Sequence, residues 1–436
     1  MAVQLAKGVK DYDFKEMIKR QNLMDKLKKV FERYGFSPFE TPIIERFDVL
    51  ASKFGAGEDS DAMNEIFRVS DQGNRDLGLR FELTLSMCRF IAMNPTVKLP
   101  FKRYEIGRVY RDGPIKLGRM REFVQCDVDI VGSKNMTADA EILRLGLDAL
   151  NELGLDAYIL VNNRKILKGL LDFAGIDDSK KVKAIIIIDK LSKIGRDGVK
   201  SELSSLGISS ESADKLLEII CFEGSFVETI KLLKDNISDD EGVEGINEIE
   251  DLFSYLSSKD KENIIFNISL ARGLSYYTGT IFEGYLRDSK VSSAICGGGR
   301  YDNLISSLMN TNNSYPAIGI SFGLVPILEA INLEKKDFAE KEVVTELFVL
   351  PIGDVIKDAM GVAKSLRDSG IKTEVDLMAR PLSKNLKFAN SQKIPFVLFV
   401  GENELKDNKF KLKNMVSGDE EFLELDDVIK RVKDFF

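Results

Sequence analysis

One predicted strand carries, on a single face, several side chains that could bind a ligand or take part in catalysis. From residue 121 to residue 130, strand periodicity directs alternate side chains to opposite sides of the backbone. The apolar side consists of Val124, Cys126, Val128 and Ile130. The opposite side carries a cation, an aromatic ring, an amide and two carboxylates: Arg121, Phe123, Gln125, Asp127 and Asp129. This face suits a polar ligand, although the alternation is also compatible with a wet face on a half-buried strand.

Basic residues are concentrated around this strand. Between residues 101 and 121 the chain has seven basic and two acidic residues, which gives +5, whereas the whole chain carries −8. The basic residues are Lys102, Arg103, Arg108, Arg111, Lys116, Arg119 and Arg121. A guanidinium binds phosphate through two parallel hydrogen bonds, and a basic loop suits a nucleic-acid backbone. The segment therefore favours a ligand-binding face over a merely hydrated one.

A separate arginine stands at the end of another apolar segment. Arg272 follows Phe266, Ile268 and Leu270, which are predicted to contribute a strand to the core, and two tyrosines follow it at positions 276 and 277. A guanidinium that is drawn into a protein interior needs an anion beside it. That anion is either a ligand or a carboxylate of the protein itself, and the sequence leaves both alternatives open.

Two shorter motifs also carry groups that could meet a substrate. In LRFELT, Glu82 and Thr84 share one face if the segment is extended, where they could hold an ammonium group, although a surface strand would show the same pattern. The segment CGGGRYDNLI fits neither the dinucleotide-binding nor the P-loop spacing. Its glycines are predicted to form a turn or to permit close approach of the backbone to a ligand.

The chain contains no histidine, which excludes several classes of chemistry. Without an imidazole there is no Ser–His or Cys–His nucleophile, no histidine-ligated metal and no imidazole base within the polypeptide. The four cysteines lie far apart with no C-x-x-C pair, which argues against a zinc site or a disulfide framework and favours small buried side chains. Arginine, carboxylates, hydroxyls and backbone dipoles must therefore carry any reaction.

Length and composition predict an ordinary globular chain of several domains. The 436 residues suffice for two or three domains, and 44% hydrophobic with 30% charged residues is not a disordered composition. No apolar run approaches the roughly 20 residues that span a bilayer, and the N-terminus lacks the apolar core of a signal peptide. A cytoplasmic location is expected.

Hydrophobic periodicity outlines the order of elements. An amphipathic helix is predicted from Met17 to Tyr34, with Gly35 as its stop. Two antiparallel strands are predicted around the basic loop, and a helical stretch from about 165 to 260 has the character of an insertion. Beyond a charged linker, alternating strands and helices predict a small α/β domain around a mainly parallel sheet.

Together these motifs resemble the histidyl-tRNA synthetases of the archaeal and eukaryotic type, a family of class II aminoacyl-tRNA synthetases. The resemblance covers nearly the whole chain, and ARGLSYYTG together with REFVQCDVDI in this order makes it specific. The motifs that carry it are KGVKDY, YGFSPFETPIIE with Pro42, LRFELT, VYRDGP, GRMREFVQCDVDI, ARGLSYYTG, CGGGRYD, AIGISFG and NLKFANSQKIPFVLFVGENEL.

The resemblance implies an α+β architecture with three parts. A class II catalytic domain on an antiparallel sheet would comprise residues 1–164 and 261–333, with a helical insertion at 165–260 and an α/β anticodon-binding domain at 344–436. Such a protein forms a homodimer through YGFSPFETPIIE. It uses ATP, accompanied by Mg²⁺, to convert histidine into histidyl-adenylate, and then transfers the histidyl group to histidine tRNA.

The resemblance also implies roles for individual residues. Arg111 would contact the ATP α-phosphate, Phe123 would stack on adenine, and Arg272 would stabilise the pentavalent phosphorus. The histidine ammonium group would be received by Glu82 and Thr84, and its imidazole by Asp129 and Tyr277. Gln125 would lie against the substrate and take part in catalysis, and Tyr276 would line the pocket. Arg121 would bind ATP. Lys116 and Arg119 would contact the acceptor end of the tRNA. No metal site built from protein ligands alone is expected.

Two positions depart from the family pattern. Ser275 stands where the family usually has an acid, and Val325, Pro326 and Ile327 stand where motif 3 normally supplies an arginine to the ATP γ-phosphate. The second departure leaves open a catalytically silent relative, like the synthetase-related regulatory subunit of ATP phosphoribosyltransferase. ARGLSYYTG and the C-terminal domain favour the enzyme over this silent relative. A synthetase for another amino acid is opposed by Asp129 and Tyr277.

Overall fold

The computed structural model describes residues 3–52, 61–115, 120–272, 276–333 and 343–436. The chain divides into two units, one formed by Met1–Lys10 and Leu23–Lys336 and the other by Asp11–Asn22 and Asp337–Phe436. No helix within the described ranges combines the length and the apolar character that a membrane span requires.

An eight-stranded sheet is the centre of the larger unit. Its strands are β1 (Ser37–Pro38), β5 (Phe101–Tyr110), β6 (Glu122–Val131), β7 (Ala157–Asn163), β8 (Ile264–Phe266), β9 (Thr280–Leu286), β10 (Cys296–Arg300) and β11 (Ala317–Gly323). Their spatial order is β1-β5-β6-β11-β10-β9-β7-β8. Every pairing is antiparallel except the outermost ones, β1 with β5 and β7 with β8. The predicted antiparallel pair around the basic loop is β5 and β6.

A small antiparallel sheet and four helices belong to the first half of the unit, and a fifth helix, the first in the chain, is divided between the two units. The sheet has the order β2-β4-β3, with β2 at Ile44–Arg46, β3 at Arg68–Ser70 and β4 at Asp76–Leu79. The helices are α1 (Phe14–Arg33), α2 (Phe47–Ala51), α3 (Asp61–Asn64), α4 (Thr84–Met93) and α5 (Met136–Glu152). Helix α1 ends where it was predicted to end, because Gly35 takes a positive φ of 75° that favours glycine.

The described segment between β7 and β8 is entirely helical. Its helices are α6 (Arg164–Phe173), α7 (Asp178–Ile188), α8 (Leu191–Ser205), α9 (Ser210–Ile220), α10 (Phe226–Asn236), α11 (Asp240–Tyr255) and α12 (Ser258–Lys261). Five of them begin with a side-chain cap on the backbone N–H groups, from Asn163, Ser209, Ser225, Asp239 and Ser257. Glu248 of α11 accepts hydrogen bonds from Asn163 and Lys165, which ties α11 to the end of β7.

Two expectations about the second half of the catalytic sheet were wrong. The segment CGGGR is strand β10, not a turn, because its glycines let β10 pack closely between β9 and β11. The strand before Arg272 ends at Phe266, so Ile268 and Leu270 are buried in a loop. The Asn162 side chain donates to the carbonyl oxygens of both, which satisfies a backbone that has left the sheet. Two helices complete the unit: α13 (Leu304–Met309) and α14 (Leu324–Leu333).

The smaller unit contains a five-stranded sheet with helices on both faces. Its elements are β12 (Leu347–Ile352), α15 (Ile356–Asp368), β13 (Thr373–Val375), α16 (Leu382–Ser391), β14 (Phe396–Gly401), α17 (Glu402–Asp407), β15 (Phe410–Asn414), β16 (Glu420–Leu423) and α18 (Leu425–Lys433). Strands β13, β12 and β14 are parallel, as expected, whereas β15 and β16 add an antiparallel edge that was not predicted. Alternate residues of β12 and β14 enter two separate cores on the two faces.

Candidate active site

A cavity of about 520 Å³, including its open mouth, lies over the middle of the eight-stranded sheet. Strands β6, β10 and β11 form its floor, and the start of α4 and the segment around Arg272 form its walls. Its lining consists of Glu82, Thr84, Arg111, Gln125, Asp127, Asp129, Arg272, Tyr276, Tyr277, Gly297, Gly298, Gly299, Tyr301, Gly319, Ile320 and Ser321. The lining is therefore rich in carboxylates, hydroxyls and guanidinium groups.

Because side chains alternate between the two faces of β6, three polar side chains of this strand lie on the floor of the cavity. Gln125, Asp127 and Asp129 line it, while Cys126 and Val128 between them are fully buried on the other face. In β11, Ser321 pairs with Asp127 and accepts a hydrogen bond of 2.9 Å from the Gln125 side-chain amide. Gly319 pairs with Asp129, and a Cβ on Gly319 would lie 2.0 Å from Asp129 Oδ1. A larger residue at 319 would displace the Asp129 carboxylate.

Asp129 is held by a buried network of charges beneath the cavity. Its Oδ2 lies 2.8 Å from Arg103 Nη2, and its Oδ1 accepts a hydrogen bond of 2.5 Å from the Tyr301 hydroxyl. Arg103 also approaches Glu105 at 3.4 Å, and Glu105 forms a second ion pair with Arg80 at 2.8 Å. These charged side chains are at most 3% exposed. Because each buried charge has a partner of opposite sign, the orientation of Asp129 is fixed before any substrate binds.

Asp127, two residues away on the same face, has a different environment. It is 3% exposed, and its Oδ1 accepts no hydrogen bond from any residue within the described ranges. Burial raises the pKa of the Asp127 carboxyl group to about 7, and the neighbouring Asp129 adds to this effect, whereas Arg103 and Ser321 oppose it. Asp127 is therefore a buried carboxylate whose charge is only partly compensated.

Arg272 lies at the wall of the cavity and is anchored mainly by backbone carbonyl groups. Its Nη1 donates to the carbonyl oxygens of Phe282 at 3.0 Å and Gly298 at 3.3 Å. Among the described residues the nearest carboxylate oxygen is Oε1 of Glu283, 3.7 Å from Nε and beyond hydrogen-bonding distance. The anchored guanidinium is thus oriented by the sheet, and its positive charge is only loosely balanced by Glu283.

Glycine residues in β10 leave the space that Arg272 and Tyr277 occupy. A Cβ on Gly297 would lie 2.4 Å from Arg272 Nη1, and a Cβ on Gly299 would lie 2.8 Å from the Tyr277 ring. The Tyr276 and Tyr277 rings are 4.4 Å apart between centroids. Burial raises the pKa of both hydroxyl groups, so they remain protonated near neutrality and can donate hydrogen bonds. The sequence predicted close approach of a ligand to the backbone at these glycines. In the structure the side chains of Arg272 and Tyr277 approach it instead.

The second cavity-lining arginine, Arg111, follows β5. Its Nε donates to the carbonyl oxygen of Phe81 at 3.1 Å, and its guanidinium lies 5.1 Å from the centroid of the Phe123 ring. Phe123 itself is not part of the cavity lining. The ring therefore flanks the arginine outside the cavity, where a flat group could also stack on it.

The other described cations of the basic segment are paired with acids. Lys102 pairs with Glu141, Arg108 lies 3.4 Å from Glu122, and Arg121 lies 3.0 Å from Asp112. Arg103 belongs to the buried network. The local excess of +5 in the sequence is therefore largely neutralised by acids from inside and outside the segment. Lys116 and Arg119, predicted to contact the tRNA acceptor end, lie outside the described residues.

Comparison with known proteins identifies the family. Residues 8–327 match the histidyl-tRNA synthetase family, and residues 346–435 match the anticodon-binding domain family. Histidine–tRNA ligase 1 of Bacillus cereus is 40% identical over 425 residues, which are 96% of this chain and 95% of that protein. The chain belongs to the histidyl-tRNA synthetase family. It is an aminoacyl-tRNA synthetase, as the motifs predicted.

Solved structures support the same assignment of the fold. The histidyl-tRNA synthetase of Nostoc sp. PCC 7120 matches with a TM-score of 0.85 and 27% identity, over 100% of both chains. A Bacillus halodurans protein described as an ATP phosphoribosyltransferase regulatory subunit/histidyl-tRNA synthetase matches with a TM-score of 0.74 over 92% of this chain and 99% of that chain. At 21% identity, this second match supports the fold alone. The predicted class II fold with a C-terminal anticodon-binding domain is confirmed, whereas these bacterial proteins give no support to the archaeal and eukaryotic subtype.

Most residues that the synthetase resemblance assigned to substrates lie together. Eight of them line the cavity: Glu82, Thr84, Arg111, Gln125, Asp129, Arg272, Tyr276 and Tyr277. Glu82 and Thr84 reach it from the start of α4, not from the extended segment that was considered. Arg121 and Phe123 do not line it, and Ser275 lies outside the described residues. Their predicted roles, like the individual roles of the eight, remain predictions.

Several residues of the histidyl-tRNA synthetase site were missed by reasoning from the sequence. Asp127 was placed on the correct face but received no role. Tyr301 and Ser321 were not considered, although Tyr301 lies within CGGGRYD and Ser321 within AIGISFG, both of which were noticed as motifs. A rule that examines the residue two positions after each glycine motif would have found them, since Tyr301 follows Gly299 and Ser321 follows Gly319 at that spacing.

Asp127→Asn is expected to stabilise the protein above neutral pH. The carboxyl pKa rises from 3.8 to about 7 on folding, so ionisation in the folded state destabilises it, by up to about 4 kcal/mol above pH 7. This penalty is absent below pH 4 and grows as the pH rises between about 4 and 7. The gain in the free energy of unfolding should follow that course in urea titrations at pH 5, 6, 7 and 8.

Asp129→Asn is the matched control for that measurement. It leaves Arg103 with less compensation, so it should lower the free energy of unfolding at every one of these pH values. An Asp127→Asn protein that is destabilised equally at pH 5 and pH 8 would contradict the interpretation.

Proposed function

We propose that the cavity activates histidine with ATP and that the histidyl-adenylate then transfers its histidyl group to histidine tRNA. The family supplies the reaction class, an AMP-forming ligation of an amino acid to tRNA. The observation that supports the site is the convergence of Glu82, Thr84, Gln125, Arg111 and Arg272 on one cavity from distant parts of the chain. Carboxylate and hydroxyl groups suit the cationic end of an amino acid, and the two arginines suit phosphate.

The proposed roles divide the cavity into a cationic and an anionic end. Glu82, Thr84 and Gln125 receive the ammonium group of histidine, while Asp129 and Tyr277 face its ring and Tyr276 lines the pocket. At the other end, Arg111 and Arg272 meet the α-phosphate of ATP. Phe123 and Arg121 bind the adenine side of the nucleotide, just outside the cavity lining.

The first chemical step requires no base from the protein. An oxygen of the histidine carboxylate attacks the α-phosphorus, a new P–O bond forms, and the bond to the bridging oxygen breaks as pyrophosphate leaves. The carboxylate is already an anionic nucleophile, so the protein needs only to align it and to balance the growing charge on phosphorus. Arg272 suits this task because carbonyl groups orient it and the carboxylate of Glu283, 3.7 Å away, forms no hydrogen bond with it. A chain without histidine can perform this step.

Mg²⁺ is proposed to enter as a companion of ATP, bound by the phosphates. In the described part of the chain, no group of three or more Cys, Asp or Glu side chains is placed to hold a metal ion. The motif 3 position supplies no cation to the γ-phosphate of ATP, since Val325, Pro326 and Ile327 occupy the start of α14 after β11. Magnesium-bound phosphates would reduce the need for an arginine there.

We also propose the domain assignment, partners and location that the resemblance implied. Residues 1–164 with 261–333 would form the catalytic domain, 165–260 the insertion, and 344–436 the anticodon-binding domain. Lys116 and Arg119 would meet the acceptor end of the tRNA. Homodimer formation is supported by Ile43 and Ile44, which are exposed beside Pro42. The cytoplasm, where tRNA is charged for translation, is the proposed location.

A catalytically silent regulator was the alternative that the sequence left open, because of one observation. The missing motif 3 arginine would weaken ATP binding in a protein that still binds histidine. The retained Arg272 and Arg111 in the cavity favour the enzyme instead, because a regulator has no pentavalent phosphorus to stabilise.

Amino-acid-dependent exchange between ATP and labelled pyrophosphate separates these functions. Among the twenty standard amino acids, histidine alone should support exchange, because Asp129 and Tyr277 are proposed to recognise its imidazole ring. Binding of histidine without exchange would support the regulator. Exchange with another amino acid in place of histidine would assign a different synthetase.

Arg272→Ala should reduce the rate of adenylate formation by roughly 100-fold or more and leave the Kd of histidine almost unchanged. The reason is that the guanidinium stabilises charge that develops only in the transition state. Rapid-quench measurement of the first turnover tests this. Arg33→Ala, which removes an exposed ion pair with Glu152, is the control and should leave the rate unaltered. Near-normal adenylation by Arg272→Ala would make Arg272 a structural residue.

Removal of residues 337–436 should separate the two steps of the reaction. Histidine-dependent pyrophosphate exchange should persist, since the cavity is built from the larger unit alone, whereas charging of tRNA should fall at least 100-fold because the anticodon contacts are lost. Both activities are measured on the same preparation, with circular dichroism to verify folding. If a folded truncated protein lost exchange as well, the proposed division of labour between the domains would be wrong.

A further inference from the structure

The buried charges beneath the cavity do not balance. Two cations, Arg80 and Arg103, stand among three carboxylates, Glu105, Asp127 and Asp129, all of them at most 3% exposed. Glu105 pairs with Arg80 and Arg103, and Asp129 pairs with Arg103. One carboxylate of this set therefore has no cation of its own among the described residues, and that residue is Asp127.

The geometry of the sheet explains why Asp127 is the residue left over. In the register of β5 and β6, Arg103 lies opposite Asp129, whereas Asp127 lies opposite another acid, Glu105. Two like charges at directly opposed positions repel each other. On its other side Asp127 lies opposite Ser321, whose hydroxyl accepts a hydrogen bond from Gln125 and lowers the pKa of Asp127 by hydrogen bonding, but carries no charge. Neither neighbouring strand therefore brings a cation to Asp127.

Asp129 is less available for a substrate than Asp127. Its Oδ1 accepts a hydrogen bond from Tyr301, and the charge on its Oδ2 is compensated by the Arg103 guanidinium 2.8 Å away, although this contact lacks the geometry of a hydrogen bond. Asp127 lines the same cavity, is equally buried, and retains an oxygen, Oδ1, that accepts no hydrogen bond from the described residues. Such an acceptor is costly to leave unpaired, so a ligand that donates to it gains more than it would from a satisfied group.

We propose that Asp127 is a specificity-determining residue, whose Oδ1 accepts a hydrogen bond from a ring N–H of the substrate histidine. This inference rests on the proposed function and deepens it. The imidazole is the suitable donor because the ammonium group already has Glu82, Thr84 and Gln125 assigned to it, while the ring has only the occupied Asp129 and a tyrosine. An imidazole that gains a proton also supplies the positive charge that the buried network lacks.

Three ligands distinguish the ring from the other parts of the substrate. Histidine has both the ring N–H and the ammonium group, β-(2-thienyl)alanine lacks the ring N–H, and imidazole-4-propionate lacks the ammonium group. Their Kd values are measured by calorimetry on the full-length wild-type protein and on Asp127→Asn. The variant should weaken binding of histidine and imidazole-4-propionate by about 10- to 100-fold and leave thienylalanine binding unchanged, since a hydrogen bond to a charged group is lost only where a ring N–H is present.

Two controls accompany this comparison. Asp178→Asn makes the same chemical change at an exposed position on α7 and should alter none of the three affinities. The Kd of ATP, which does not involve the ring, should be the same in wild type and Asp127→Asn, and this equality shows that the variant retains a folded site.

Each other outcome overturns the inference. Equal losses for histidine and thienylalanine, with imidazole-4-propionate unaffected, would place Asp127 at the ammonium group. Equal losses for all three ligands would make it a structural residue, and unchanged affinities would leave it without a role in recognition. In each of these cases the proposed function stands as long as the wild type supports histidine-dependent pyrophosphate exchange. A wild type that neither binds histidine nor supports exchange overturns the proposed function together with this inference.

Discussion

The catalytic sheet depends on the burial of Arg103. This guanidinium lies in the middle of β5 with 1% of its side chain exposed, in a position where an unpaired charge would be strongly destabilising. It is compensated by Glu105, two residues along the same strand, and by Asp129, directly opposite on β6. Because the cost of burying a guanidinium is offset only when carboxylates lie close to it in good geometry, these contacts fix the register of β5 against β6. The same register sets the face on which the substrate-facing residues lie.

The network extends from the sheet to the segments around it. Glu105 also accepts hydrogen bonds from the backbone N–H and the hydroxyl of Thr41, and Arg80 donates to Thr41 and to the carbonyl oxygen of Arg108. Thr41 immediately precedes Pro42 of the segment proposed to form the dimer. A rearrangement at that segment would therefore reach the cavity floor through a continuous chain of buried polar contacts. Residues that never touch a substrate thus help to determine where Asp129 points.

Part of this architecture follows from local sequence and part does not. Alternation in β6 predicted that Gln125 and Asp129 face the same way, because side chains in a strand repeat every two residues. The stop of α1 at Gly35 followed from the same kind of local rule. Ion pairs are different, since they join residues that are far apart in the chain. The count of +5 around the basic loop could not reveal that Glu141 of α5 would pair with Lys102.

The glycine segment CGGGR shows that steric packing between distant residues could not be predicted from the local sequence either. Three consecutive glycines in CGGGR predicted a turn because glycine is unfavourable in an isolated strand. In the sheet they are required for another reason: Arg272 and Tyr277 fill the space in which side chains at 297 and 299 would stand. The family resemblance anticipated eight of the sixteen residues that line the cavity, but the reason for the glycines became apparent only from the packing of β10 against its neighbours.

The absence of histidine from the chain has a physical consequence for a site that binds imidazole. A site that must select imidazole ligands benefits from having no imidazole of its own, because no protein group then competes for the same acceptors. Among the described residues beneath the cavity the three carboxylates Glu105, Asp127 and Asp129 outnumber the two cations Arg80 and Arg103, which suits a ligand that can become positively charged. At the opposite wall, Arg272 and Arg111 suit anions. Under the proposed function, histidine and the α-phosphate of ATP would meet these two preferences simultaneously, with the reacting carboxylate between them. In that proposal the same distribution of charge that selects the amino acid also orients it for attack on phosphorus.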